Sequence, residues 1–214
     1  MFQVFLKQPP PAGVKSYSLF LFAGMLPWML FSETLQRSAS SLVEQANLIT
    51  KTVFPAEIVP VSIFCSVLVG HALGLLLLVV VAGVWQNQIS GFLLLLPLYA
   101  FAIGLMAVGL GWIAASLHVF LRDTSQVLSV ILTFWFWVTP IFLAESHYQE
   151  RTWTRYLLAA NPMAYAVRGY RAMLISTDAP RAADLGVALA FGAVAFVAGG
   201  LFFRHMKKGF ADVL

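Results

Sequence analysis

The chain has 214 residues, of which 60% are hydrophobic and 10% charged, with a mean hydropathy of +0.85. Soluble domains carry about 25% charged residues, and residues 58–121 contain no Asp, Glu, Lys or Arg at all. An ionised group at the centre of a bilayer span costs at least ~2.5–3.5 kcal/mol, so this pattern excludes a water-soluble fold and makes the chain integral to a membrane. The net charge of +4 gathers partly at Arg204, His205, Lys207 and Lys208, which suits anionic lipid heads. No basic patch is interleaved with exposed aromatics, which argues against nucleic acid as a partner.

Residues 1–15 carry Pro9, Pro10 and Pro11 and lack the layout of a signal peptide. Beyond them the sequence predicts an all-α integral membrane protein, one domain over 1–214. A crossing takes about 20 apolar residues, and that length predicts five spans at 17–35, 58–84, 89–121, 124–143 and 185–203. Gln86, Asn87 and Gln88 mark a tight turn, as do Arg122 and Asp123. Pro97 and Pro140 are expected to kink or end their spans. Cys65, the one cysteine, reads as a small buried hydrophobe. Gly70, Gly74, Gly104, Gly109 and Gly111 read as packing positions. His71 and His118 read as hydrogen-bonded interior residues rather than ligands. No Cys/His cluster calls for a metal.

Two polar connections remain. In the first, over 38–55, Leu42, Ala46, Ile49 and Val53 recur at helical spacing, with Glu44, Gln45 and Lys51 elsewhere around the helix, and Pro55 stops it. This segment reads either as a docking helix for a partner or as a helix resting on the lipid surface. The second connection, 145–182, predicts short amphipathic or re-entrant helices broken at Asn161–Pro162, with Asn161 capping the second and Pro162 at its first position. On that helix Arg168 and Arg171 share a face. They either snorkel to lipid phosphates or hold a gate through backbone carbonyls, Glu145 or Glu150.

Arg122–Asp123 reads either as a helix-ending ion pair or as a contact for a partner or a substrate headgroup. The run Phe134-Trp135-Phe136-Trp137 cannot face one way, since neighbouring residues on a helix point about 100° apart. Trp28, Tyr99 and Trp135 are candidates for rings along a transport path, against the alternative of an aromatic belt. The chain has no phosphate-binding loop ending in Lys-Ser/Thr, so any energy from ATP must arrive through another subunit. Basic residues at 37, 51, 122, 204, 207 and 208 put the C-terminal tail and the first and third loops on the cytoplasmic side.

Gly24, Pro27-Trp28, Phe31-Ser32, Asn47 to Pro55, Arg122-Asp123, Thr139-Pro140-Ile141, Asn161-Pro162-Met163, Arg168-Gly169-Tyr170-Arg171 and the closing Phe210 to Leu214 occur in an order that resembles the permease subunit of bacterial ABC-type polysaccharide exporters (O-antigen, capsule and teichoic acid). The resemblance implies a homodimeric pore in the bacterial inner membrane and an ABC ATPase partner that holds ATP and magnesium. It implies a lipid-linked polysaccharide cargo and no catalysis by this chain. It also implies ATPase coupling through Leu42, Glu44, Leu48, Ile49, Lys51, Phe54, Pro55, Arg122 and Asp123. An external gate would contain Asn161, Pro162, Arg168 and Arg171. The family's second span corresponds to the segment beginning near residue 17, so its surface helix and first span have no counterpart here. The alternatives are a related permease for a drug or a lipid, and an inactive truncated scaffold.

Overall fold

Spanning segments must satisfy their backbone groups internally, and this chain does so with helices throughout. A computed structural model describes residues 17–47, 55–86, 90–142, 152–176 and 179–212, and among these no strand occurs. The helices are α1 (Tyr17–Glu44), α2 (Ile58–Gln86), α3 (Leu96–Phe120), α4 (Thr124–Val138), α5 (Thr152–Ala160), α6 (Pro162–Arg171) and α7 (Ala182–Met206). A 3-10 turn at Gly91–Leu95 leads into α3, a π-type turn at Ala172–Ser176 follows α6, and a 3-10 turn at Lys207–Asp212 closes the described chain.

Four of these segments are long and apolar enough to cross a membrane: Tyr17–Glu44, Ile58–Val84, Gly91–Phe120 and Ala182–Phe210. α4 is shorter, at 15 residues. α3 is the central helix, packed along α7 on one side and α1 on the other. Its crossing with α7 is close because both helices lack side chains where they meet. A Cβ built on Gly199 would fall on the backbone of Gly109, and one on Gly192 would fall on the carbonyl of Ala102. Small residues are the usual means of bringing membrane helices together, since lipid gives no hydrophobic drive to pair them. The outward faces stay apolar: Leu73, Leu76 and Val80 on α2, Val130 and Phe134 on α4, and Val194 and Val197 on α7 are all exposed.

Several expectations change. α1 does not stop near residue 35 but runs unbroken through Glu33, Arg37 and Glu44, so 38–44 extends a spanning helix and is not a separate amphipathic one. Pro97 opens α3 instead of kinking it, because a first-turn proline forfeits no intrahelical bond. Pro140 does follow the end of α4. Cys65 is exposed on α2, not buried. Gly70 has open space around its Cβ position and packs against nothing, while Gly104 does make room for the Phe64 ring.

A stapled helical pair at one end and a charged rim at the other

The antiparallel helices leave two ends. At one, α6 is driven into the bundle: Met163, Ala164, Val167 and Tyr170 are buried, whereas α5 stays largely outside, with Leu158 its one buried residue. The break between α5 and α6 falls at Asn161–Pro162, as expected. Asn161 caps α6 by accepting from the Met163 amide at 3.1 Å. The same Oδ1 accepts from Trp135 Nε1 at 2.9 Å, and Nδ2 donates to Thr139 Oγ1 at 3.0 Å. One asparagine thus ties the α6 start to the end of α4.

Arg171 closes the other side of the pair. Nη1 donates to the Pro140 carbonyl and Nη2 to the Ile141 carbonyl, each at 2.6 Å, and the guanidinium lies 3.6 Å from the Phe20 ring centroid. Gly24 on α1 leaves space for it, since a Cβ there would meet Nη2 at 2.7 Å. Carbonyls beyond a helix end have no intrahelical donor, and the planar guanidinium fork suits two of them at once. Tyr17 adds a bond to the Phe142 carbonyl at 2.9 Å.

Arg168 pairs with Asp184 at the start of α7, 2.6 Å away, with side-chain exposures of 27% and 7%. The residues expected to face it, Glu145 and Glu150, lie outside the described residues. His71 Nε2 on α2 meets Tyr170 Oη at 2.9 Å. Polar contacts thus reach the α6 pair from α2, from α7 and from the end of α4. Asp184→Asn should lower stability by about 1–3 kcal/mol, because it removes the buried carboxylate charge that Arg168 meets. Adding Arg168→Gln should recover part of that loss, which a double-mutant cycle on thermal unfolding in detergent would read.

The aromatic candidates face inward. Tyr99 is fully buried against Tyr170 and Gly169, and Trp28 is buried against Phe31, Trp135 and Phe136. In this arrangement neither offers a surface to a passing chain, contrary to expectation. Trp135 is partly buried and engaged with Asn161, while Phe134 and Trp137 point out. The split of the aromatic run between inside and outside follows the helical geometry.

At the opposite end, Leu42 is buried with Ala56, Val59, Trp112, Phe203 and Phe210. It is fully buried in the base of the bundle, where a residue expected to couple to a partner would face outward. Glu44, Pro55, Arg122 and Asp123 are exposed there, and no ion pair joins the last two among the described residues. Leu48, Ile49, Lys51 and Phe54 lie outside the described residues. Lys207 donates to both carboxylate oxygens of Glu57, at 2.7 and 2.9 Å, and Trp112 Nε1 donates to the Glu57 carbonyl at 3.0 Å. These contacts pin the α2 start to α3 and to the tail. Residue spacing carries no sign of the Glu57–Lys207 or Arg168–Asp184 pairs. The charges at 57, 184 and 207 at span ends were their one visible trace.

Partial burial pushes the Glu57 carboxyl up, but the Lys207 hydrogen bonds, the backbone and the Lys207 charge outweigh it and leave it below its usual 4.5. The contact therefore stabilises fully above pH ~4.5 and is lost as pH falls through the lower folded value. With both side chains about 40% exposed, Glu57→Gln should cost under ~1 kcal/mol at pH 7. That difference should vanish in unfolding measurements made in strong acid.

No His, Cys, Asp and Glu group among the described residues could hold a metal ion. Four helices long and apolar enough to cross make this a multi-pass membrane protein. The model of the ABC-2 type transporter family matches residues 2–175, and the chain belongs to that family. It is similar to the O-antigen export system permease protein RfbA of Myxococcus xanthus, 28% identical over 212 residues that cover 99% of this chain and 80% of that protein. It is also similar to an O-antigen export system permease protein RfbA of Klebsiella pneumoniae, 24% identical over 203 residues, covering 94% and 77%. Membership implies an ABC ATPase as partner.

Proposed function

We propose that this chain is the membrane-spanning subunit of an ATP-driven exporter that moves a lipid-linked polysaccharide across the bacterial inner membrane, working as a homodimer. Similarity to permeases named for O-antigen export is the observation that carries this reading. The two unlike ends of the bundle support it. The chain is not an enzyme; ATP and magnesium bind the ATPase partner. A coupling segment that begins at the lower end of α1 and continues toward residue 55, the fifth span through α4 and a re-entrant α5–α6 pair facing outside complete the proposed topology.

The exposed rim with Glu44, Pro55, Arg122 and Asp123 receives the ATPase on the cytoplasmic side. Closure of the ATPase halves moves the lower end of α1, and the rod carries that movement to the stapled pair. A shift between closed and open pores requires contacts that differ between the two states, and this reading assigns that part to the Arg171 and Arg168 contacts. Co-expression with a candidate ABC ATPase tests the reading. The two should co-purify, crosslinks from residue 44 or 123 should capture the ATPase, and lipid-linked glycan should stimulate hydrolysis. Hydrolysis that responds to no glycan, with no crosslink from either position, overturns it.

A further inference from the structure

Between α1 and α2 runs an open apolar trough of about 630 Å³, floored by Met25, Leu26 and Leu30 on one side and Val67, Leu78 and Val81 on the other. Gly70 keeps it open, since a Cβ there would meet nothing within 4 Å. The one ring nitrogen group in its wall, His71, is engaged with Tyr170. The trough does not end in solvent alone. At Met29, Glu33 and Arg37 it joins a second hollow of about 370 Å³ whose remaining walls are Ser32, Gln36 and Ser40. An apolar trench thus opens into a polar cup.

The cup is electrically balanced. Glu33 and Arg37 stand one helical turn apart, 3.2 Å between Oε1 and Nη1, and each side chain is about half exposed. An arginine carries five N–H donors, so most of its fork remains for a second acceptor, and Glu33 keeps its other oxygen. A ligand that complements both needs an anion and a cation side by side, attached to a hydrocarbon chain. From Ser18 to Glu33 the trough follows fifteen steps of α1, roughly 22 Å at 1.5 Å per residue. That exceeds half of a ~30 Å hydrocarbon core, enough for an acyl chain reaching through one leaflet.

We propose that this trough and cup form a binding site for a zwitterionic aminophospholipid, phosphatidylethanolamine. Its phosphate meets Arg37, its ammonium meets Glu33, and one acyl chain lies between α1 and α2. A polyprenyl pyrophosphate would bring several negative charges beside the Glu33 carboxylate with Arg37 alone to meet them all. An anionic glycerol headgroup draws on Arg37 but offers no cation to the second oxygen of Glu33. The site is independent of what the chain exports.

The test uses the full chain in vesicles of equal phosphatidylethanolamine and phosphatidylglycerol, extracted gently and read by native mass spectrometry. The unaltered chain should retain phosphatidylethanolamine in roughly fivefold preference, the size of one exposed headgroup ion pair. Glu33→Gln, a surface change, should bring the two lipids to parity without lowering total lipid. Gly70→Leu should fill the trough and release most of both. Retention in the supplied ratio by the unaltered chain overturns the proposal, as does unchanged selectivity in E33Q. Displacement of phosphatidylethanolamine by an equal amount of polyprenyl pyrophosphate, or capture of a protein helix at residues 29 and 77 by crosslinking, also overturns it.

Discussion

Arg171→Ala should lower thermal stability in detergent by about 3 kcal/mol and should abolish export. The guanidinium makes two charge-assisted bonds of 2.6 Å to carbonyls and lies over an aromatic ring. A hydrogen bond from a charged donor contributes ~1.5–3 kcal/mol, and its removal leaves the acceptors unmet. The stacking adds ~0.5–2 kcal/mol where water is excluded. These terms overlap, so the expected loss is smaller than their sum. Arg171→Lys should restore part of the stability only, because a single ammonium cannot present a fork to two neighbouring carbonyls. Gly24→Ala should imitate the arginine variant in milder form by pushing the guanidinium aside. An unfolding midpoint and export rate equal to the parent chain's in R171A would mean that α6 is held by its apolar face alone.

Gly199→Leu should be worse, preventing assembly of the bundle. The added Cβ would meet backbone, at the Gly109 carbonyl, so no neighbouring side chain can turn away to relieve it. Overpacking of an ordinary core costs ~1–3 kcal/mol; a forced separation of α3 from α7 lies above that range, because both helices lose their contact along the crossing. Gly186→Leu, on the same helix with open space about its Cβ position, should be tolerated. Membrane-fraction yield and size-exclusion profiles of the two variants give the comparison, and equal profiles would remove the crossing from any account of stability.

The sequence made some of this visible for physical reasons. Asn161–Pro162 announced a helix start because a capping side chain followed by a residue without an N–H suits that position alone. The apolar runs announced spans because charge is excluded from hydrocarbon. What the sequence withheld was pairing. Leu42 shows the spacing of a docking face, yet periodicity does not say whether a partner or the chain's own Phe203 and Phe210 will cover that face. Tyr99 and Trp28 look like exposed rings in an apolar stretch, and only packing against Gly169, Tyr170 and Trp135 turns them inward. Gly109 was legible as a small residue, but its partners Ala195 and Gly199 lie on a helix joined to it through a long detour of chain.

α1 is one unbroken helix of 28 residues, roughly 42 Å at 1.5 Å per residue, longer than the ~30 Å hydrocarbon core. A stiff body of that length behaves like a seesaw. A tilt of about 10° around its middle carries each tip roughly 3.6 Å in opposite directions, by the same rise per residue. Pro27 sits near that middle and lacks the amide proton that would bond to the Ala23 carbonyl. The fulcrum is thus written into the chain at the one residue of α1 where bending sacrifices no amide bond.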